Sequence, residues 1–473
     1  MIRKLILGLA ILGTLVLWFA RQQSNPPGFY VDESSIAYNA LSIARAGADE
    51  HDVRFPLYFE AFGEYKNPVY IYALAAVFKV VHPSNLVARR FSAICGYLAA
   101  LACGWLAWRV TRRPSVMVIV AAMALATPTL FEISRLAFEV ALYPLILAVF
   151  LIFAHAFLAE GRWDWKIATG LLITLVLLTY TYSIGRLLAP LLALGLLVFA
   201  PRARRRNIVL LCVAFALLGV VPIAVYNHQH DGAMTFRALT ISYIPNDLGR
   251  PAVLLADLER HYIDNILPFG YSLVGDLNTR HHMKGAGGSI LVVTWLLAIL
   301  GIVVAPRTRW YWFLLFGLAA TVLPAAVTND QFHSLRLVAY PLFLIALAIP
   351  AVEWLLTRRV LLIAALLIGA LQAAWFFVVF ERHGGERAPE FDAGARQIVG
   401  AAIDQSRGQP VYVVGTPYVH AWWYGALRGV DRSRFVRATF DDTAPHGALV
   451  IGQPCDGCEV VARSGSYTLF RMR

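Results

Sequence analysis

The stretch RVTRRPSVMVIVAAMALATPTLFEISRLAFEVALYPLILAVFLIFAHAFLAEGRWDWK (109–166) holds two apolar runs, 116–133 and 140–159, between basic ends and around a short polar centre. Each run is close to the ~20 residues that an α-helix needs to cross a ~30 Å hydrocarbon core. The pattern is that of a membrane hairpin. Its basic ends belong on one side, and its centre, with Glu132, Arg135 and Glu139, belongs on the other.

Working outward, the same pattern fills most of the chain. About eleven runs of spanning length are expected, near 5–20, 88–108, 116–133, 140–159, 167–184, 187–200, 208–226, 289–305, 310–327, 337–356 and 360–380. The 187–200 run is short and reads as a tilted or partly buried helix. The first run follows Arg3 and Lys4 and reads as an uncleaved helix rather than a signal sequence, since no A-x-A site follows it. Over all 473 residues, 59% are hydrophobic and 15% charged, against the ~25% charged of an ordinary soluble domain. That composition excludes a soluble fold, disorder and collagen-like repeats.

Charge placement sets the expected sidedness. With the N-terminus inside, the inner connections are RVTRRP (109–114), GRWDWK (161–166), PRARRR (201–206), PRTR (306–309) and TRR (357–359). With Arg3 and Lys4 they carry 15 basic residues and, nearby, only Glu160, Asp164 and Glu353; the other face holds 26 basic and 26 acidic residues. The whole net charge of +12 thus falls on one side, as the positive-inside rule requires. These arginines are topology signals, and nucleic-acid binding loses its motivation.

Three long segments remain outside: 21–87, 227–288, and the tail after 380. The tail alternates a helix-like run (392–406) with β-like runs at 411–415, 435–440, 448–452 and 466–470, and predicts a small α/β domain. The expected organisation is therefore a transmembrane region over 1–380, including the outer loops 21–87 and 227–288, and a domain over 381–473. Cys95, Cys103 and Cys212 lie within runs as apolar fillers. Cys455 and Cys458, a CxxC on the outer face, favour a local disulfide.

The outer segments also carry the ionisable groups. Asp32 and Glu33 precede a helical apolar pattern over 34–46, which predicts a helix lying on the membrane surface. The bland account of the two acids is a helix cap. Lys66, in YKNP (65–68), either snorkels to headgroups or meets a lipid phosphate. Arg135 and Glu139 are four apart, as in an i,i+4 ion pair, although ionisable groups at membrane depth tend to mark function. Glu132 reads as a rim residue. His333 and Arg336 are three apart at the mouth of a late run. Acids from two segments and cations from three others fall on one face.

In that order and sidedness, the pair Asp32-Glu33, Lys66-Asn67-Pro68, SRLAFE (134–139) and HSLR (333–336) resemble the GT-C glycosyltransferases. The nearer resemblance is to the branch of protein O-mannosyltransferases and lipid A aminoarabinose transferases. It covers roughly 1–380. The resemblance implies an α-helical polytopic membrane protein, GT-C-like, with a small extracytoplasmic C-terminal domain. It also implies transfer of a sugar, with inversion, from a polyprenyl-phosphate carrier to a lipid, glycan or protein acceptor outside a bacterial inner membrane.

By the same resemblance Asp32 is the general base, Glu33 supports it, and Glu139 is the second acid. Lys66, Arg135, His333 and Arg336 then face the donor phosphate, though Asn67 stands where relatives have proline. A carboxylate can take the proton of an attacking hydroxyl, and fixed cations stabilise the charge that grows on the departing phosphate. No cofactor is assigned. A divalent ion on Asp32 and Glu139 stays open, whereas adjacent His281-His282 is too little for a structural zinc. The rival readings are a lipid-linked-sugar transporter or flippase, with Asp32 and Glu139 relaying protons, and a non-catalytic scaffold.

Overall fold

The computed structural model describes residues 2–267, 269–438, 444–454 and 458–472. The helices and strands run as follows: α1 (Ile2–Phe19), α2 (Val31–Ala46), β1 (Phe59–Ala61), β2 (Glu64–Lys66), α3 (Pro68–Phe78), α4 (Asn85–Thr111), α5 (Pro114–Ala126), α6 (Pro128–Ile133), α7 (Tyr143–Leu158), α8 (Trp165–Thr181), α9 (Gly185–Phe199), α10 (Arg205–Phe215), α11 (Val221–Gln229), α12 (Ala233–Ile241), α13 (Ile244–Asp247) and α14 (Pro251–Ile266). Then come α15 (Val292–Val304), α16 (Arg309–Ala326), α17 (Tyr340–Leu355), α18 (Arg359–His383), α19 (Ala395–Gln405), β3 (Val411–Val414), α20 (Tyr418–Leu427), β4 (Phe435–Ala438), β5 (Leu449–Gly452), β6 (Glu459–Ser464) and β7 (Tyr467–Arg471).

Each expected apolar run falls on helix. Among the described residues, five helical stretches, Asn85–Thr111, Glu139–Leu158, Arg202–Gln229, Arg309–Ala326 and Arg359–Phe391, are long and apolar enough to cross a membrane, and six further apolar helices are shorter. Two runs differ from simple helices for local reasons. The 116–133 run breaks at Thr127, which is extended (ψ 116°) before Pro128, because proline bars the α conformation to the residue before it. The 208–226 run widens into a π-turn over Ala216–Val220 just before Pro222, which lacks the N–H that would continue the ladder.

The chain divides into two compact units. The first comprises 1–18, 92–134 and 139–380. Its centre is α17, packed against α15, α16 and α5 and buried on nearly every side from Tyr340 to Val352, as the apolar composition of that stretch requires. Gly301 of α15 lets the two backbones close up: a Cβ there would lie 1.9 Å from the carbonyl of Leu347. Cys95 and Cys103 are buried and Cys212 half-buried, all three free.

The second unit comprises 19–91, 135–138 and 381–473. The tail thus shares a unit with the first outer segment. A five-stranded sheet of order β4-β3-β5-β7-β6 pairs β3 in parallel with β4 and β5, and β7 antiparallel with β5 and β6. β6 and α20 are additions to the expected elements. α20 is buried along most of its length, so its apolar residues show no one-sided period. Trp423 stacks between Phe29 and Phe78 and donates to Asn85 Oδ1 at 2.7 Å.

The expected surface helix is corrected here. α2 forms, but Glu33 through Leu41 are all buried, packed against α3 and α20. It is a core helix of this unit rather than one lying on lipid. Of the CxxC, Cys458 is disulfide-bonded, and Cys455 lies outside the described residues.

Candidate active site

Asp32 and Glu33 occupy the first turn of α2, where the positive end of the helix favours acids. They have opposite surroundings. Glu33 closes a capping box by accepting from the N–H of Tyr30 at 3.0 Å. It also accepts from Arg89 Nε at 2.8 Å and a second Arg89 nitrogen at 2.7 Å, and from the N–H of Ala137 at 2.9 Å. Glu33 and Arg89 are fully buried. The cap reading therefore describes Glu33.

Asp32, one residue earlier, faces outward. Its Oδ1 accepts from Lys66 Nζ at 2.5 Å, with 36% of its side chain exposed against 14% for Lys66. Lys66 ends β2 of the short β1–β2 hairpin, and its ammonium sits 5.5 Å from the ring centre of Phe62. Pro68 at the first position of α3, after the extended Asn67, fixes where the hairpin ends. The fold thus brings Asp32 and Lys66 together across 34 residues of the first outer segment.

Arg135 also lies in this unit, and residues 134–138 are turn and coil, so the helical i,i+4 spacing expected of Arg135 and Glu139 is not realised. The buried Arg135 instead donates to the carbonyls of Asn25 at 2.9 Å and Ala20 at 2.7 Å. The tail reaches the base of α2 as well. Asp392 accepts from the N–H of Val31 at 2.9 Å and from the Tyr467 hydroxyl at 2.7 Å, and lies 3.3 Å from His420. The Nδ1 of His420 is 2.8 Å from the hydroxyl of Ser34. Burial alone would raise the Asp392 pKa, but His420, Tyr467 and the Val31 N–H outweigh it and hold it below the usual carboxylate range.

In the first unit, Glu139 opens a 3₁₀ turn over Glu139–Leu142 and is buried. Arg336 donates to Thr328 Oγ1 at 2.8 Å and Asp330 Oδ2 at 2.6 Å. His333 stands beside His281 rather than on a helical face, since 334–339 are turns. Burial, with the charges of His281 and Arg336, holds its imidazole down to about 3. Asp276 completes a group with these two histidines.

Glu132 is corrected from rim to interior. It is buried and accepts from the N–H of Met283 at 2.8 Å, while its other oxygen meets His282 Nδ1 at 2.7 Å. The Nε2 of His282 faces the carbonyl of Gly287 at 2.7 Å. Two acceptors on one ring call for an imidazolium. Burial would lower the His282 pKa, but Glu132 and that carbonyl raise it above its ordinary value. The sequence signal for Arg89 was an arginine inside an apolar run, which calls for a buried partner. Asp276, by contrast, carried no signal.

No family model and no curated protein sequence matches the chain. The crystal structure of ArnT from Cupriavidus metallidurans bound to undecaprenyl phosphate matches it with a TM-score of 0.63 and 14% identity, over 98% of this chain and 97% of that one. The chain has the ArnT fold. The apo form of ArnT matches likewise, with a TM-score of 0.64 and 14% identity over 99% and 98% of the two chains. The archaeal oligosaccharyltransferase AglB from Archaeoglobus fulgidus, in complex with an inhibitory peptide and a dolichol-phosphate, matches with a TM-score of 0.52 and 15% identity, over 89% of this chain but 63% of that one. The expected architecture of many apolar helices with a small C-terminal α/β region is the one found. With its apolar helices, the ArnT fold marks the chain as an integral membrane protein.

Proposed function

We propose that this chain transfers a sugar from a polyprenyl-phosphate carrier to a hydroxyl acceptor, with inversion, on the extracytoplasmic side of a bacterial inner membrane. The observation that carries this reading is the part-exposed Asp32–Lys66 pair at 2.5 Å on a fold shared with ArnT. In the free protein the two charges satisfy each other. An incoming donor phosphate competes for the ammonium, and the carboxylate it releases becomes a base beside the acceptor.

The acceptor oxygen then attacks the anomeric carbon from the side opposite the phosphate, the bond from that carbon to the phosphate oxygen breaks, and the electron pair leaves with the lipid phosphate. Asp32 takes the acceptor proton. Lys66 meets the charge that grows on the leaving group, an interaction stronger in the transition state than before it. Glu139 is the second acid.

Purified protein incubated with a panel of polyprenyl-phosphate sugars, with products read by mass spectrometry, tests this. Turnover should fall by about 10²–10⁴-fold in D32N; a variant with wild-type turnover removes Asp32 from the reaction. The proposed sidedness is tested by cysteines at the exposed positions His82, Ser433 and Ser115. The first two should react with an impermeant reagent from outside and Ser115 should not; the reverse pattern inverts the topology.

A further inference from the structure

We propose that Asp276, His281 and His333 bind one zinc ion, which clips the loop 275–289 to the loop 328–339. Two imidazoles and a carboxylate form a zinc donor set with a fourth position left for water. The three candidate ligand atoms lie within 4.8 Å of one another. The Nδ1 of His281 and an oxygen of Asp276 are 3.1 Å apart. That is near the ~3.4 Å edge that bonds of about 2.1 Å make at the tetrahedral angle.

His333 is the independent pointer to a ligand. Its Nδ1 is buried without a hydrogen-bond partner, a costly state for a polar nitrogen, and its ring centre is 4.7 Å from that of His281. His333 lies in coil just before the turns of 334–339, outside any helix. Asp276 is already aimed: one oxygen accepts from the N–H of Asn278 at 2.8 Å and the other from the N–H of Ser334 at 2.6 Å. Such outer bonds orient a ligand. The charge of Arg336 is met by Asp330, which leaves Asp276 to the ion.

The site stands apart from the sugar-transfer reading because metal content is measured without donor or acceptor. Full-length protein, purified in detergent through a histidine-free tag, supplemented with zinc and desalted, should retain about one zinc ion per chain by mass spectrometry. Cobalt in its place should give the strong visible bands of a four-coordinate ion, and chelation should lower the Tm. H333Q and D276N should each reduce zinc to background, while H82Q, at an exposed histidine, should keep it. Wild type that takes up no zinc, cobalt without those bands, or full zinc in both H333Q and D276N overturns the proposal. If either variant fails to fold, the cobalt spectrum and zinc-dependent Tm of wild type decide the matter.

Discussion

Asp32 and Glu33 are neighbours in one helical turn, and the protein treats them in opposite ways. Glu33 is fully buried under four hydrogen bonds from Tyr30, Arg89 and Ala137, while Asp32 keeps a third of its side chain open and meets Lys66. A carboxylate whose acceptor capacity is filled cannot take a proton without breaking structure. One held by a single flexible cation can be released by any anion that wants that cation. The difference separates a positioning group from a reactive one within a single dipeptide.

The largest effect expected from this contrast is at Glu33. E33A leaves Arg89 buried without its partner, which should cost about 3–5 kcal/mol and prevent the protein from accumulating in folded form. D32N, by contrast, should change stability by no more than about 1 kcal/mol, the scale of a part-exposed pair, while turnover collapses. Thermal unfolding of the two variants in detergent checks the ranking. A stable E33A beside an unfolded D32N would reverse the assignment of roles.

A finer test uses the competition between Asp32 and the donor for Lys66. K66A should weaken binding of polyprenyl phosphate about 10- to 100-fold, the scale of a lost charge-assisted hydrogen bond. D32N should bind the same lipid at least as well as wild type, because the rival anion is gone. Titration with a fluorescent polyprenyl phosphate reads both. Weaker lipid binding in D32N would mean that Asp32 holds Lys66 in place rather than yielding it.

Half of this contrast was legible in the sequence. The helical runs were, because hydropathy and proline placement are local: even the break at Thr127 follows from Pro128. The site dipeptide was also visible, but its division of labour was not. The pattern over 34–46 fits a surface helix, and only α20, nearly 400 residues away in the chain, shows that α2 is buried on both sides. Arg89 read as part of an apolar run until Glu33 supplied its partner. His281 and Asp276 gained meaning only when the segment carrying His333 came beside them, a placement that no spacing along the chain encodes.

The smallest expected effect concerns how the tail holds α2. Asp392, capping the N–H of Val31, has its pKa depressed by His420, Tyr467 and that N–H despite burial. A carboxyl with a depressed folded pKa contributes stability above its unfolded value of about 3.9, and this is lost as pH falls through the folded value. Asp392 adopts a left-handed backbone (φ 50°), which asparagine also tolerates, so D392N removes the charge without straining the chain. At pH 7 the variant should be less stable than wild type by about 1–2 kcal/mol. The gap should narrow below about pH 4, as wild type loses the same charge. Melting curves of both proteins between pH 7 and pH 3 measure it. A gap that stays constant over that range would show that the carboxylate charge of Asp392 does not anchor the helix bearing Asp32, leaving packing by α20 as the tie.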